Sequence, residues 1–311
     1  MANTREVKNR LRGVRKTQQI TRAMKMVATV KLRHAQAALV NARPYAERMR
    51  ALAADLLARI DSPPADNPFF SPRHSKNILF VIVSADRGLC GNMNTNVFRQ
   101  VLRAVDDLTA PAHKGQKPEI QLFLIGRKAK DFFTARQNAR AEDLPCRIME
   151  TVNFAGMDAV RLGSQCCDLY RKGRFDRIEL FYNESFSGLQ HRPARKALFP
   201  LDLSQMRKDG RPPTAGPAVS RAGPPAGNII FEPECAAMLD DVICGYVVSE
   251  VRRILMEAEV AEYAARMLMM DLATKNADDL ISAMQLTMNK LRQLAITNEL
   301  ADITTGAEAV G

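Results

Sequence analysis

From Asn276 to Ala301 the chain reads NADDLISAMQLTMNKLRQLAITNELA. Ala277, Leu280, Met284, Thr287, Leu291, Leu294, Asn298 and Ala301 follow one another at steps of three and four, the spacing of a coiled-coil seam. The stretch belongs to a longer one. From Glu234 to about Ala307 there is no Pro, and Gly245 and Gly306 are the only glycines. The pattern predicts one helix of some 70 residues, which at about 1.5 Å per residue spans roughly 105 Å. No ordinary globular core covers that length, so a second long helix is needed.

Residues 3–58 supply it. Pro44 and Gly13 are the only Pro and Gly there, and strong helix formers dominate. Apolar residues recur at Val7, Leu11, Val14, Ile20, Met24, Val27, Leu32, Ala35 and Leu39, which reads as one apolar stripe. Asn3 or Thr4 can cap the start, and Glu6 suits the first turn. A kink is expected before Pro44, and DSPPADNP (Asp61–Pro68) ends the helix. Its length, near 55 residues, would give about 80 Å.

Between the helices the pattern changes. NILFVIVS (Asn77–Ser84), EIQLFLIG (Glu119–Gly126) and DRIELFYN (Asp176–Asn183) are short apolar runs separated by amphipathic stretches at 94–107, 127–140 and 157–172. A further strand is expected near Arg192–Phe199. Such alternation points to an α/β sheet covered on both faces. The expected fold is therefore a long antiparallel coiled coil of N- and C-terminal helices (1–60 and 234–311) with an inserted, Rossmann-like α/β domain (75–200). A Pro- and Gly-rich loop (205–230) containing RKDGRPPTAGPAVSRAGPPAG, Arg207–Gly227, follows that domain.

Charge and composition narrow the function. The formal net charge of the 311 residues is +11, and residues 1–60 hold all of it, with 14 Lys and Arg against three acids. A polyanion or an acidic protein surface should meet that segment. No apolar run reaches the roughly 18 residues of a membrane helix. The basic start, MANTREVKNRLRGVRK, lacks the apolar region of a secretory signal. Six cysteines form no C-x-x-C, and the four histidines lie far apart. Buried thiols are expected, with no metal site and no catalytic cluster.

SADRGLCGNMN (Ser84–Asn94) follows a strand and opens a helix, but its glycines do not have dinucleotide or P-loop spacing. It reads as a tight turn exposing Asp86 and Arg87, with Gly88 and Gly91 shaping it. The basic helix lacks aromatic stacking residues up to position 44, so an acidic protein partner explains it better than nucleic acid. A basic coiled-coil protein, either nucleic-acid-associated or a scaffold, is the alternative reading.

The two helices differ in length. With the end of the first level with the start of the last, the first runs out near residue 290 of its partner. The remaining AITNELADITTGAEAV (Ala295–Val310) carries Glu299, Asp302 and Glu308 but no Lys or Arg. An unpaired helix of that length is marginal in water, and an apolar tip without cations suits a surrounding protein socket.

Four blocks then carry a resemblance: TQQITRAMKMVATVKLRHAQ (Thr17–Gln36), SADRGLCGNMNTN (Ser84–Asn96), AARMLMMDLATKNADDLI (Ala264–Ile281) and NKLRQLAITNELADITTGAEA (Asn289–Ala309). Together and in this order they resemble the gamma-subunit family of F-type ATP synthase. The family's C-terminal signature is matched by Ile296, Thr297, Glu299, Asp302, Gly306 and Ala307. Ala261, Tyr263 and Lys275 depart from the usual pattern.

The resemblance implies a non-catalytic central rotor stalk that couples ion-driven rotation of a membrane ring to ATP synthesis or hydrolysis. Its implied partners are three alpha and three beta subunits around one copy of this chain, an epsilon subunit and the membrane c-subunit ring. It implies no bound cofactor or metal, no nucleic acid, and a peripheral place on the cytoplasmic face of a bacterial inner membrane. Met24, Lys25, Arg292, Gln293 and Thr297 would meet the beta subunits. Ile296, Leu300, Ile303 and Val310 would form a bearing tip.

Overall fold

In a computed structural model, residues 4–59, 67–69, 73, 76–109, 118–139, 146–187, 190–201 and 235–308 are described. The elements are α1 (Thr4–Arg59), β1 (Asn77–Val83), α2 (Met93–Thr109), β2 (Glu119–Ile125), α3 (Arg127–Ala139), β3 (Cys146–Val152), α4 (Ala159–Arg171), β4 (Arg177–Ser187), β5 (Gln190–Phe199) and α5 (Cys235–Glu308). The expected loop at 205–230 lies outside the described residues. No described helix is long and apolar enough to cross a membrane.

The chain divides into two compact units, 1–32 with 263–311 and 33–262. The division cuts through both long helices rather than falling at their ends. The reason is packing: α1 from Ala53 to Leu57 and α5 from Leu239 to Ala258 share one core cluster with the sheet. Those helical segments belong to the α/β unit physically, although their sequence is continuous with the coiled coil.

Within the α/β unit the strand order is β3-β2-β1-β4-β5. The first four strands pair in parallel, and β5 returns antiparallel to β4. β1 shows why the sheet needs cover on both faces. Ile78, Phe80 and Ile82 join the cluster with Val97, Phe98, Val101 and Phe133 of α2 and α3. Leu79, Val81 and Val83 join the opposite cluster with α1, α4 and α5. Alternate side chains of a strand point to opposite faces, so a continuously apolar strand serves two cores. The sequence reading missed β3, because CRIMETV is only partly apolar and is half-buried or exposed over most of its length.

Two polar features sit inside this unit. Glu179, 1% exposed, is held by Arg177 (2.5 Å) and Arg195 (2.6 Å). Glu250 of α5 accepts from Arg50 of α1 (2.8 Å) and Arg253 (2.9 Å), and Arg253 also reaches Glu257 (2.6 Å). α1 runs through Pro44 without ending. The one backbone bond that Pro cannot donate would go to the carbonyl of Val40, whose residue is exposed and open to water.

The coiled-coil unit corrects both predicted seams. In α1, within this unit, the buried and half-buried positions are Val7, Leu11, Val14, Gln18, Thr21, Met24, Lys25, Ala28, Thr29 and Leu32. Ile20 and Val27 are instead 59% and 57% exposed. In α5 the seam is Met267, Met270, Thr274, Ala277, Ile281, Met284, Met288 and Leu291. Leu280, Thr287 and Leu294 are exposed. Ala277, Met284 and Leu291 were placed correctly. The alternate positions fall one residue later, on Ile281 and Met288, since LI and TM each offer two adjacent candidates.

Candidate functional site

The register of the coiled coil follows from cross-helix bonds. Gln18 donates its amide to Asp278. Thr21 Oγ1 and Thr274 Oγ1 lie 2.9 Å apart. Lys25 Nζ donates to Asp271 Oδ1 at 2.5 Å. The helices are antiparallel, and on this register Thr4 lies level with Leu291 or Arg292. Residue 291 is half-buried; from Arg292 onward every side chain described is exposed. The end of α5 thus extends beyond the described start of α1, as its length predicts.

This uncovered end has an unusual surface. Ile296, Leu300 and Ile303 are 50%, 59% and 67% exposed. Val310 lies outside the described residues. The threonine hydroxyls turn back onto their own helix: Thr297 donates to Gln293 O (2.9 Å), Thr304 to Ala301 O (2.9 Å) and Thr305 to Ala301 O (2.8 Å). Hydroxyls satisfied in this way offer few directional bonds to a neighbour. Arg292 and Gln293 stand exposed at its base.

Met24 and Lys25 are half-buried. Lys25 is not a free cation, because it shares Asp271 with Lys275 (3.1 Å). Hydrogen bonds from Lys25 and then Lys275 hold the Asp271 carboxyl below the usual carboxylate range. Two of the residues that depart from the family pattern, Tyr263 and Lys275, are therefore engaged within this unit. Lys275 joins the ion pair, and Tyr263 carries the Lys31 ammonium over its ring at 5.5 Å.

One surface was missed by sequence reasoning. Ile20, Met26, Val27 and Val30 of α1 are each more than half exposed. Ile20 and Val27 are seven residues apart and so share a face, with Val30 beside them. Clustered exposed apolar side chains mark a partner surface. The available signal was the polar character of Gln18, Thr21 and Lys25, whose partners on α5 draw them into the seam.

The turn after β1 lies beside β4, where the strand order reverses, a position that often binds ligands in α/β sheets. Here its polar groups are spent on the fold. Asp86 is half-buried, not displayed: Oδ1 accepts from the backbone N–H of Arg127 (3.0 Å) and Phe154 (3.0 Å), and Oδ2 from Ala155 (3.1 Å). Its carboxylate ties together the segments following β2 and β3. Arg87 and Gly88 are exposed, and Gly91 has a φ of 65° that favours glycine. Asp86→Ala should cost about 1–2 kcal/mol, since water can replace part of what three N–H groups lose; equilibrium urea unfolding measures it.

A family model described as ATP synthase matches residues 3–310. The ATP synthase gamma chain of Heliobacterium modesticaldum is 35% identical over 314 residues, covering 100% of both chains. That of Desulforamulus reducens is 36% identical over 315 residues, again covering 100% of both. Among solved structures, the rotor of Euglena gracilis mitochondrial ATP synthase aligns with a TM-score of 0.58 at 19% identity, covering 94% of this chain and 98% of that one. A chain from a second rotational state of that enzyme, with its F1 part and c-ring, gives 0.60 at 18% identity, covering 99% and 94%.

Proposed function

Because this chain belongs to the ATP synthase gamma-chain family, we propose how its parts serve the central stalk. As the central-stalk subunit it couples rotation to the making or breaking of ATP. We assign the catalytic sites to the surrounding alpha and beta subunits, three of each around one copy of this chain. The α/β unit meets the epsilon subunit and the c-subunit ring, and ion flow through that ring turns the stalk. The chain itself carries no cofactor, and its place is peripheral, on the cytoplasmic face of a bacterial inner membrane.

The observation that carries this reading is the uncovered end of α5. It presents Ile296, Leu300 and Ile303 outward and folds its hydroxyls back. A shaft that binds its socket tightly in one pose would stall. A smooth tip, with few directional contacts to break, keeps the barriers between angles low. The basic residues lower down, Arg292 among them, face acidic loops and transmit torque as charge contacts. One asymmetric shaft touches three chemically equal sites differently, and only differential contact biases a site between conformations.

Reconstitution with matching alpha and beta subunits tests this. One copy per hexamer, with raised MgATP hydrolysis, is expected for the full chain. A chain ending at Arg292 should still assemble but bind less firmly, because it loses the buried apolar area of Ile296, Leu300 and Ile303, each about 1.5–3 kcal/mol when fully buried. Failure to incorporate under every salt condition would sink the proposal.

A further inference from the structure

Cysteine chemistry lies outside everything assigned above, and one pair of thiols stands apart. α4 packs against α5 within the α/β unit. A Cβ on Gly163 would stand 2.8 Å from Val248 Cα, so at that point the two backbones nearly touch. One turn along α4 and one turn back along α5, Cys167 and Cys244 fall in the next layer of the pair, Cys167 within the core cluster and Cys244 packed against it. One turn further, Arg171 Nη2 lies 3.9 Å from Asp240 Oδ2 and 3.5 Å from Cys244 Sγ. Three successive layers of an antiparallel helix pair thus place two sulfurs between a glycine contact and a guanidinium.

We propose that Cys244 and Cys167 form a peroxide-reactive dithiol, with Cys244 as the attacking thiolate and Cys167 as the resolving thiol. Cys244 is half-exposed while Cys167 is buried, so an oxidant reaches Cys244 first. The Arg171 guanidinium donates to its sulfur at 3.5 Å, and a cation there favours the thiolate over the thiol. The neighbouring Cys167 thiol and, more weakly, the Arg171 charge hold the Cys244 thiol below its ordinary range despite burial. The other buried thiols go the other way; burial pushes Cys146 and Cys166 up to about 12.

The chemistry balances with a hydroperoxide as the oxidant. The Cys244 thiolate attacks the distal peroxide oxygen. An S–O bond forms, the O–O bond breaks, and the alkoxide or hydroxide leaves and takes a proton from water. The Cys167 sulfur then attacks the sulfenic sulfur. The S–S bond forms, the S–O bond breaks, and the hydroxyl departs as water with the Cys167 proton. Two electrons pass from the two sulfurs to the peroxide. The product ties α4 to α5 covalently.

The full-length chain, treated with a small molar excess of hydrogen peroxide at neutral pH and digested without reduction, gives the test by mass spectrometry. A Cys167–Cys244 linkage, with loss of two hydrogens, is expected in the wild type and in Cys166→Ser and Cys235→Ser. It should vanish in Cys167→Ser, which instead leaves a sulfenic acid on Cys244 that dimedone traps. Arg171→Gln should slow the reaction of Cys244 several-fold without changing that of Cys146. Reduced thiols at both positions in the folded, peroxide-treated wild type would overturn the proposal.

Discussion

Glu250→Ala is expected to lower the stability of the α/β unit by about 3–5 kcal/mol, the range for removing one partner of a buried ion pair. The Glu250 side chain is 2% exposed and accepts from Arg50 and Arg253 together. Removing it leaves two partly buried guanidinium groups facing each other. Arg253 keeps Glu257, but Arg50 loses the only carboxylate it pairs with among the described residues, and its Nε already has no hydrogen-bond partner there. Against a total stability on the order of 5–15 kcal/mol, this is enough to populate unfolded chain at ordinary temperature. Urea unfolding followed by far-UV circular dichroism measures it, and a loss under about 1 kcal/mol would contradict the account.

The same site fixes a pH dependence. Burial raises the Glu250 carboxyl, and Arg253, then Arg50, more than offset it, so the folded value lies below the ordinary one. A depressed carboxyl adds stability that is present above the unfolded pKa, about 4.3, and is lost as pH falls through the folded value. The stability gap between wild type and Glu250→Gln should therefore be widest near neutrality and narrow below about pH 4. A gap that widens on acidification would reverse the assigned sign.

Gly126→Ala is the second large effect. Gly126 follows β2 with φ of 94°, and a Cβ there would lie 2.1 Å from Ser84 O and 2.6 Å from Ser84 Oγ. Ser84 cannot yield. Its N–H donates to Ile125 O (2.9 Å), and its hydroxyl donates to the same oxygen (3.0 Å) while accepting from Ala129 N (2.9 Å). Backbone strain of roughly 1–3 kcal/mol and a clash with fixed main chain then add, for a loss of about 4 kcal/mol or more. Gly88→Ala is the control, because its Cβ would meet only Lys128 Cε at 3.8 Å. Equal losses in the two variants, measured by thermal unfolding, would remove the steric argument.

Both long helices, and the strands and helices between them apart from β3, are legible in the residues alone. Long runs with few Pro and Gly and strong helix formers throughout read as helices, and continuously apolar strands such as NILFVIV need cover on both faces. Unequal helix lengths already required an uncovered end rich in Ile and Leu. What tertiary structure decided was which neighbour of an ambiguous pair turns inward. Hydropathy favours Ile20 and Val27 for the seam, yet Thr21, Lys25 and Gln18 occupy it because Thr274, Asp271 and Asp278 wait opposite. Asp86 likewise read as a displayed acid until the segments following β2 and β3 brought it three backbone N–H groups. A polar side chain's preference depends on partners distant in sequence, here roughly 40 to 260 residues away. Local periodicity contains no term for them.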